Sequence, residues 1–280
     1  MANNLLQKIG IGTVQFGTDY GISNTQGQTP PDEVTRILEI CRQYGVTLLD
    51  TASAYGEAEK VIGANDLKGF RIVSKFMPPE ILSIEDQLKQ SLTNLYRDSL
   101  YGYLAHRPKD LLNNPAQWVV LQQLKDLGRI KKIGFSLNKP AELHALIKEN
   151  MIPDLVQLPF NYFDKRFEND LELLKRYNCE IHTRSVFLQG LFFKKTEELS
   201  LFFDQVKPVI QRLQRDYSSL AQSLLMHVLQ HPLIDRVIIG VNNSKQLLSN
   251  LTGFGPTEEL PPIQIEIPDE ILIPSNWPAK

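Results

Sequence analysis

Short apolar runs alternate with longer amphipathic stretches along most of the chain. The apolar runs near 9–15, 46–51, 70–75, 100–105, 131–135, 155–158, 180–186 and 236–240 read as strands. Amphipathic segments near 31–44, 57–64, 84–97, 116–127, 140–149, 166–177, 217–230 and 244–252 read as the helices between them. Such alternation predicts parallel strands joined by right-handed helical crossovers, and eight units predict closure into a (β/α)8 barrel of the TIM type. Local signals set several boundaries: Thr29-Pro-Pro-Asp32 and Ser83-Ile-Glu-Asp86 start helices, and Leu127-Gly128 ends one. The segment 190–216 is the least periodic and contains Pro208, so it reads as an excursion after the seventh strand. Beyond Gly253, six prolines between Pro256 and Pro278 disfavour further helix and predict an extended tail.

Composition narrows this without redirecting it. The 280 residues suit one α/β barrel domain, with the barrel over about 9–252 and the tail over 253–280. With 42% hydrophobic and 22% charged residues the chain can bury a sizeable core. A formal charge of −2 gives no chain-wide attraction for nucleic acid. No apolar run reaches about 18 residues and Met1-Ala-Asn-Asn-Leu-Leu-Gln-Lys8 lacks a signal-peptide core, so the expectation is a cytoplasmic protein without membrane contact. Cys41 and Cys179 lie far apart and read as two buried reduced thiols.

Candidate chemistry gathers at strand ends. Val46-Thr-Leu-Leu-Asp50-Thr-Ala-Ser-Ala-Tyr55-Gly56 runs from an apolar strand into a turn carrying an acid and a phenol. The run 70–75 ends on Lys75, and the run from Leu100 ends on His106. In a parallel barrel all these ends open on one face, where an acid, a phenol, an ammonium and an imidazole form a proton-transfer set. Singly, Lys75 could equally be a rim salt bridge and His106 a hydrogen-bonded structural histidine. His227 and His231, four residues apart, have a zinc-compatible spacing, but the glutamate of a His-Glu-x-x-His motif and a third ligand are missing, so no metal is expected and a helix-surface pair is the plainer reading. The absence of Gly-x-Gly-x-x-Gly leaves a Rossmann fold unsupported.

Asp50, Tyr55-Gly56, Lys75 and His106, in this order, resemble the catalytic tetrad of the aldo-keto reductases, and Gly10-Ile-Gly-Thr-Val-Gln-Phe-Gly17 resembles that family's first barrel strand. The resemblance covers about 9–252. It implies an NADP(H)-preferring oxidoreductase, with NAD(H) an alternative, that reduces an aldehyde or ketone or oxidises an alcohol without a metal. Tyr55 is then the proton donor, Lys75 the ammonium that favours its phenolate, Asp50 the partner that holds Lys75 charged, and His106 the group that orients the carbonyl oxygen.

The resemblance also implies a cofactor site spread over the strand ends. Gly12, Thr13 and Asp50 begin it. Ser136 and Asn138 hold the nicotinamide amide with Gln157, although Leu137 stands where most relatives have Asn. Arg184, in Thr183-Arg184-Ser185, stands where many relatives carry a stacking aromatic, can stack by its planar guanidinium and could reach a phosphate or an acidic substrate; a salt bridge to Asp or Glu is the lesser alternative. Leu188-Gln-Gly190-Leu wraps the pyrophosphate with backbone amides. Gly240-Val241-Asn242-Asn-Ser-Lys245, running on to Asn250, resembles the adenosine-phosphate segment, where Lys245 is the candidate cation for a 2′-phosphate. The N-terminal arm before Ile9 is short, so the hairpin that closes the barrel bottom in many relatives is expected to be trimmed. A barrel lyase forming a Schiff base on Lys75, and a nucleotide-binding regulatory subunit with little turnover, are the competing classes.

Overall fold

A computed structural model describes residues 5–252 and 258–278, and eight parallel strands in it close into a barrel. The strands are β1 (Ile9–Gly12), β2 (Leu48–Asp50), β3 (Arg71–Phe76), β4 (Leu100–Ala105), β5 (Ile130–Ser136), β6 (Leu155–Pro159), β7 (Glu180–Arg184) and β8 (Arg236–Gly240). Each pairs with its neighbour in chain order, and β8 returns to β1. Register sets the mouth: Gly12 stands beside both Asp50 and Gly240, and Ser136 beside Gln157.

Because side chains alternate along a strand, each strand feeds two cores. Leu48, Val73, Leu104, Leu155 and Ile238 pack inside the barrel. Their alternates, among them Leu49, Ile72, Tyr103, Phe135, Val156, Ile181 and Ile239, join the helices in the larger outer core. Glycine makes room inside: a Cβ on Gly10 would lie 2.6 Å from Ile238 Cδ1. The helices follow the expected signals. Pro31–Gln43 starts on a proline with Asp32 and Glu33 in its first turn, and Ser83 caps Ile84–Asn94 by accepting from the Asp86 amide at 3.1 Å. Ala116–Asp126 ends through Gly128 at φ 72°.

Several boundaries differ from the sequence reading. β1 stops at Gly12 because the Thr13 amide and hydroxyl both donate to the Asp50 carbonyl, each at 3.0 Å, and turn the chain into a short helix, Val14–Gly17. β7 stops at Arg184 because Ser185 takes φ 66°. The excursion is irregular only in its first part: helix Lys207–Asp216 holds Pro208 in its first turn, where a missing amide costs nothing, and buries Ile210 and Leu213. Leu220–Leu229 follows as a separate helix. The tail has no regular secondary structure over 258–267, with a bend at Ile265, then makes one helical turn, Asp269–Leu272, after Pro268. Ile271 and Leu272 bury themselves against the excursion beside Phe192, Phe203 and Leu213. The tail segment around Pro256 and the arm before Leu5 lie outside the described residues.

Cys41 and Cys179 are free and buried, and burial pushes the Cys41 thiol up to about 12. Among the described residues no helix is long and apolar enough to cross a membrane.

Candidate active site

The C-terminal strand ends bring the four expected side chains together. Lys75 on β3 is fully buried, and its ammonium donates to Asp50 Oδ1 at 2.6 Å, to the Thr51 carbonyl at 2.9 Å and to the Tyr55 hydroxyl at 3.4 Å. Those three contacts use every donor that an ammonium has. Burial resists the charge, but Asp50 and then Tyr55 outweigh it and hold Lys75 above the ordinary lysine range. Asp50 Oδ2 accepts from Gln157 Nε2 at 2.7 Å, so the acid is tied across the barrel as well as to its neighbour.

Tyr55 is positioned by two glycines. A Cβ on Gly17 would fall 1.8 Å from the Tyr55 carbonyl oxygen, and one on Gly56, at φ 55°, would fall 2.5 Å from the Gly17 carbonyl. Only bare backbone lets the turn 14–17 press on the loop after β2. The His106 ring stands edge-on to Tyr55, with centroids 5.8 Å apart at 82°. Burial foremost, then Lys75, Arg184 and Arg107, pushes its imidazole down to about 3. His106 is therefore neutral near pH 7. Its Nδ1 is buried without a partner, which leaves Nε2 as the nitrogen for the cleft.

Two clefts meet at Tyr55, Gln157 and Arg184. The first, with an empty volume of about 920 Å³, is lined by Gly12, Thr13 and Asp50 and extends to Ser185, Gly190, Gly240 and Asn242. The second, about 1440 Å³, is lined by His106, Ser136 and Asn138 and reaches Ile273, Pro274 and Ser275 of the tail. Arg184 pairs with no carboxylate among the described residues: it donates to the Leu137 carbonyl at 3.0 Å and to Asn138 Oδ1 at 2.6 Å. Thus Asn138, one place late in the sequence, still reaches the mouth.

The remaining expected cofactor residues lie off the clefts. Leu188 and Val241 are fully buried. Asn250 is buried with its Nδ2 unpartnered, and Lys245 is exposed on helix Ser244–Thr252. His227 is half-buried with its ring 5.9 Å from that of Tyr162, whereas His231 lies past the helix end and contacts Glu168 Oε1 at 3.0 Å, so the two are not a helix-surface pair.

Three residues not singled out from sequence, Gln15, Gln189 and Glu33, shape the site together with Tyr20. Gln15 is buried with Oε1 unpartnered, and a Cβ on Gly240 would lie 2.7 Å from its Nε2. A polar residue between Val14 and Phe16 at a strand end was the available signal. Tyr20 and Gln189 join the walls of the first cleft through a 2.8 Å hydrogen bond, beside an Ile22 amide to Gln189 carbonyl bond of 3.2 Å. The wall at Ser185, Leu188, Gln189 and Gly190 has φ of 66°, 44°, 53° and 89°. Glu33 accepts from the Ser244 amide at 2.6 Å, seating a carboxylate at the start of the last barrel helix. In sequence Glu33 is only a first-turn acid of its own helix.

The sequence model of the aldo/keto reductase family matches residues 8–273. The uncharacterized oxidoreductase YqkF of Bacillus subtilis is 23% identical over 277 residues, covering 88% of this chain and 86% of the relative. Among solved structures, the aldo-keto reductase AKR11C1 from Bacillus halodurans in its holo form superposes with a TM-score of 0.71 at 18% identity, covering 91% of this chain and 88% of that one. An aldo-keto reductase from Klebsiella pneumoniae in complex with NADPH superposes with a TM-score of 0.63 at 20% identity, covering 87% and 84%. With the match running nearly end to end across a closed barrel whose mouth carries Asp50, Tyr55, Lys75 and His106, the chain belongs to the aldo/keto reductase family.

Proposed function

We propose that the protein is an NADP(H)-dependent carbonyl reductase or alcohol dehydrogenase in which Tyr55 is the proton donor. The observation that carries this reading is the Lys75 ammonium, fully buried, shared between Asp50 and the Tyr55 hydroxyl where the two clefts meet. A dinucleotide fits the first cleft. Glycines 12 and 240 leave its floor bare, and the Gln15 Oε1 beside Gly240 still lacks a partner. Gln157, where the two clefts meet, and Ser136 and Asn138 just across that junction in the second cleft, are then the side chains for the nicotinamide amide, and the 240–245 segment is the seat of the adenosine phosphate.

When bound, the reduced nicotinamide supplies a hydride. The chain's own task is the proton and the charge on oxygen. Tyr55 gives its hydroxyl proton to the carbonyl oxygen, and the adjacent Lys75 ammonium stabilises the phenolate that remains. Asp50 keeps that ammonium charged and in place. His106, neutral at Nδ1 and protonated at Nε2, donates to the same oxygen and fixes its direction. A Schiff-base role for Lys75 needs a free amine, and the Asp50 pairing opposes one.

Tyr55→Phe removes the proton donor and little packing. Its reductase rate, measured as oxidation of NADPH with an aldehyde that the wild type reduces, should fall about 10²-fold or more. Nucleotide affinity by fluorescence titration should be unchanged. Retained turnover in the folded variant would sink the assignment.

A further inference from the structure

The opposite end of the barrel carries a charged cleft for which hydride transfer has no use. Arg71 begins β3, Glu180 begins β7 and Arg236 begins β8, with Lys132 near the start of β5. These four, with Lys175 and Asp235, line a cleft of about 850 Å³ empty volume. Four cations face two carboxylates there, an excess of two positive charges.

The carboxylates are already committed. Glu180 accepts from Lys132 Nζ at 2.5 Å, from Tyr101 Oη at 2.6 Å, and contacts His182 Nε2 at 2.9 Å. Burial opposes its charge, yet His182, Lys132 and Tyr101 hold it well below the usual carboxylate range. Asp235 pairs with Lys175. Arg71 is left over, and Arg236 has only a long ion pair to Glu180. Arg71, among the described residues, makes no side-chain hydrogen bond or ion pair; its guanidinium lies 4.9 Å from the centre of the Tyr101 ring. Arg236 gives one hydrogen bond, to the Gln7 carbonyl, while its Nε is buried without a partner and stands 3.9 Å from Glu180 Oε1. Burial first, then the neighbouring Arg71, pushes Arg236 below the ordinary arginine range. A half-buried guanidinium beside a second one, with no carboxylate in hydrogen-bond reach, is destabilised unless an anion completes the set.

We propose that this cleft binds a small phosphoryl-bearing anion, with Arg71 and Arg236 as its ligands. Guanidinium forks match the oxygens of a phosphoryl group in pairs, and an excess of two charges balances a dianion. Occupancy would stabilise the folded chain by mass action from the face remote from the hydride-transfer site.

The test is calorimetric titration of the full chain with inorganic phosphate, and separately with glycerol 3-phosphate, at ionic strength held constant with chloride. The variants are Arg71→Gln, Arg236→Gln and Lys245→Ala. Arg71→Gln should keep its fold, because that guanidinium holds no hydrogen bond, and should weaken binding about tenfold or more. Arg236→Gln should do the same, and a raised unfolding midpoint in phosphate should disappear with either. Lys245→Ala, at the other end of the barrel, should leave in place the binding step that Arg71→Gln weakens, whatever phosphate the adenosine end takes up. Tighter binding of the ester or of the free ion identifies the source, and either keeps the site. No binding to the wild type, equal binding to Arg71→Gln, or loss through Lys245→Ala alone overturns it.

Discussion

Lys75 shows how one buried residue dictates its neighbours. A lone ammonium at this depth would destabilise the fold by about 3–5 kcal/mol, so the positions able to touch it must be acid or acceptor, as Asp50, the Thr51 carbonyl and Tyr55 are. His106 is the contrary case, a titratable ring held neutral. Its folded value of about 3 lies below the ordinary histidine value near 6.5. The sign follows: the unfolded chain takes up this proton first as pH falls, so the stability contribution is complete above about 6.5 and is lost progressively down to about 3. The loss cannot exceed about 1.4 kcal/mol per pH unit from this one group. Denaturant midpoints between pH 7.5 and 4.5 should therefore fall less steeply in His106→Gln than in the wild type. Parallel curves would mean that the ring takes its proton as readily in the folded state as in the unfolded chain.

The elements around the mouth act through close backbone approach and through helix ends. In Gly17→Ala the new Cβ meets the Tyr55 carbonyl, and no flexible side chain is there to move aside. We expect a loss of about 2 kcal/mol or more in unfolding free energy, as for other overpacked buried sites, with a kcat deficit larger than the loss of nucleotide affinity. An alanine variant as stable and as active as the wild type would refute the contact. At the start of helix Ser244–Thr252, Glu33 holds the Ser244 amide while Lys245 stands exposed beside it. The carboxylate, lowered to about 2 chiefly by its hydrogen bond to Ser244, is charged at neutral pH and would repel the 2′-phosphate that the proposed site offers to Lys245. Glu33→Gln should widen the NADPH-over-NADH affinity ratio, and Lys245→Ala should narrow it, each by roughly 5- to 30-fold, as a contact of about 1–2 kcal/mol implies. Fluorescence titrations of both nucleotides decide it, and a ratio that neither change moves would place the 2′-phosphate elsewhere. Such tertiary pairings were not legible in the chain. The eight-unit alternation was, because each strand's burial is written in its own residues. Glu33 reaching across to Ser244, or Thr13 ending β1 on the Asp50 carbonyl, depends on partners over 30 residues away.

For the whole molecule, barrel closure is what made the tetrad readable: strand ends share one rim, so chain order alone predicts that Asp50, Tyr55, Lys75 and His106 converge. The tail was less readable, because its prolines argue for extension while Ile271 and Leu272 find an apolar seat that exists only once the excursion has folded. The wall from Ser185 to Gly190 has a consequence in time as well as in space. Three non-glycine residues there carry left-handed angles, at about 1–3 kcal/mol of strain each, and Gln189 is tied to Tyr20 on the facing wall. A nucleotide held beneath that tie would leave only when it parts, and on that reading departure, and not bond-making, should pace turnover. Rapid mixing with NADPH should then show a first turnover faster than the steady state. In Gln189→Gly, which relieves one strained angle and removes the tie, that early excess should shrink while the steady rate rises; an unchanged transient would mean that the wall gives way faster than the chemistry it encloses.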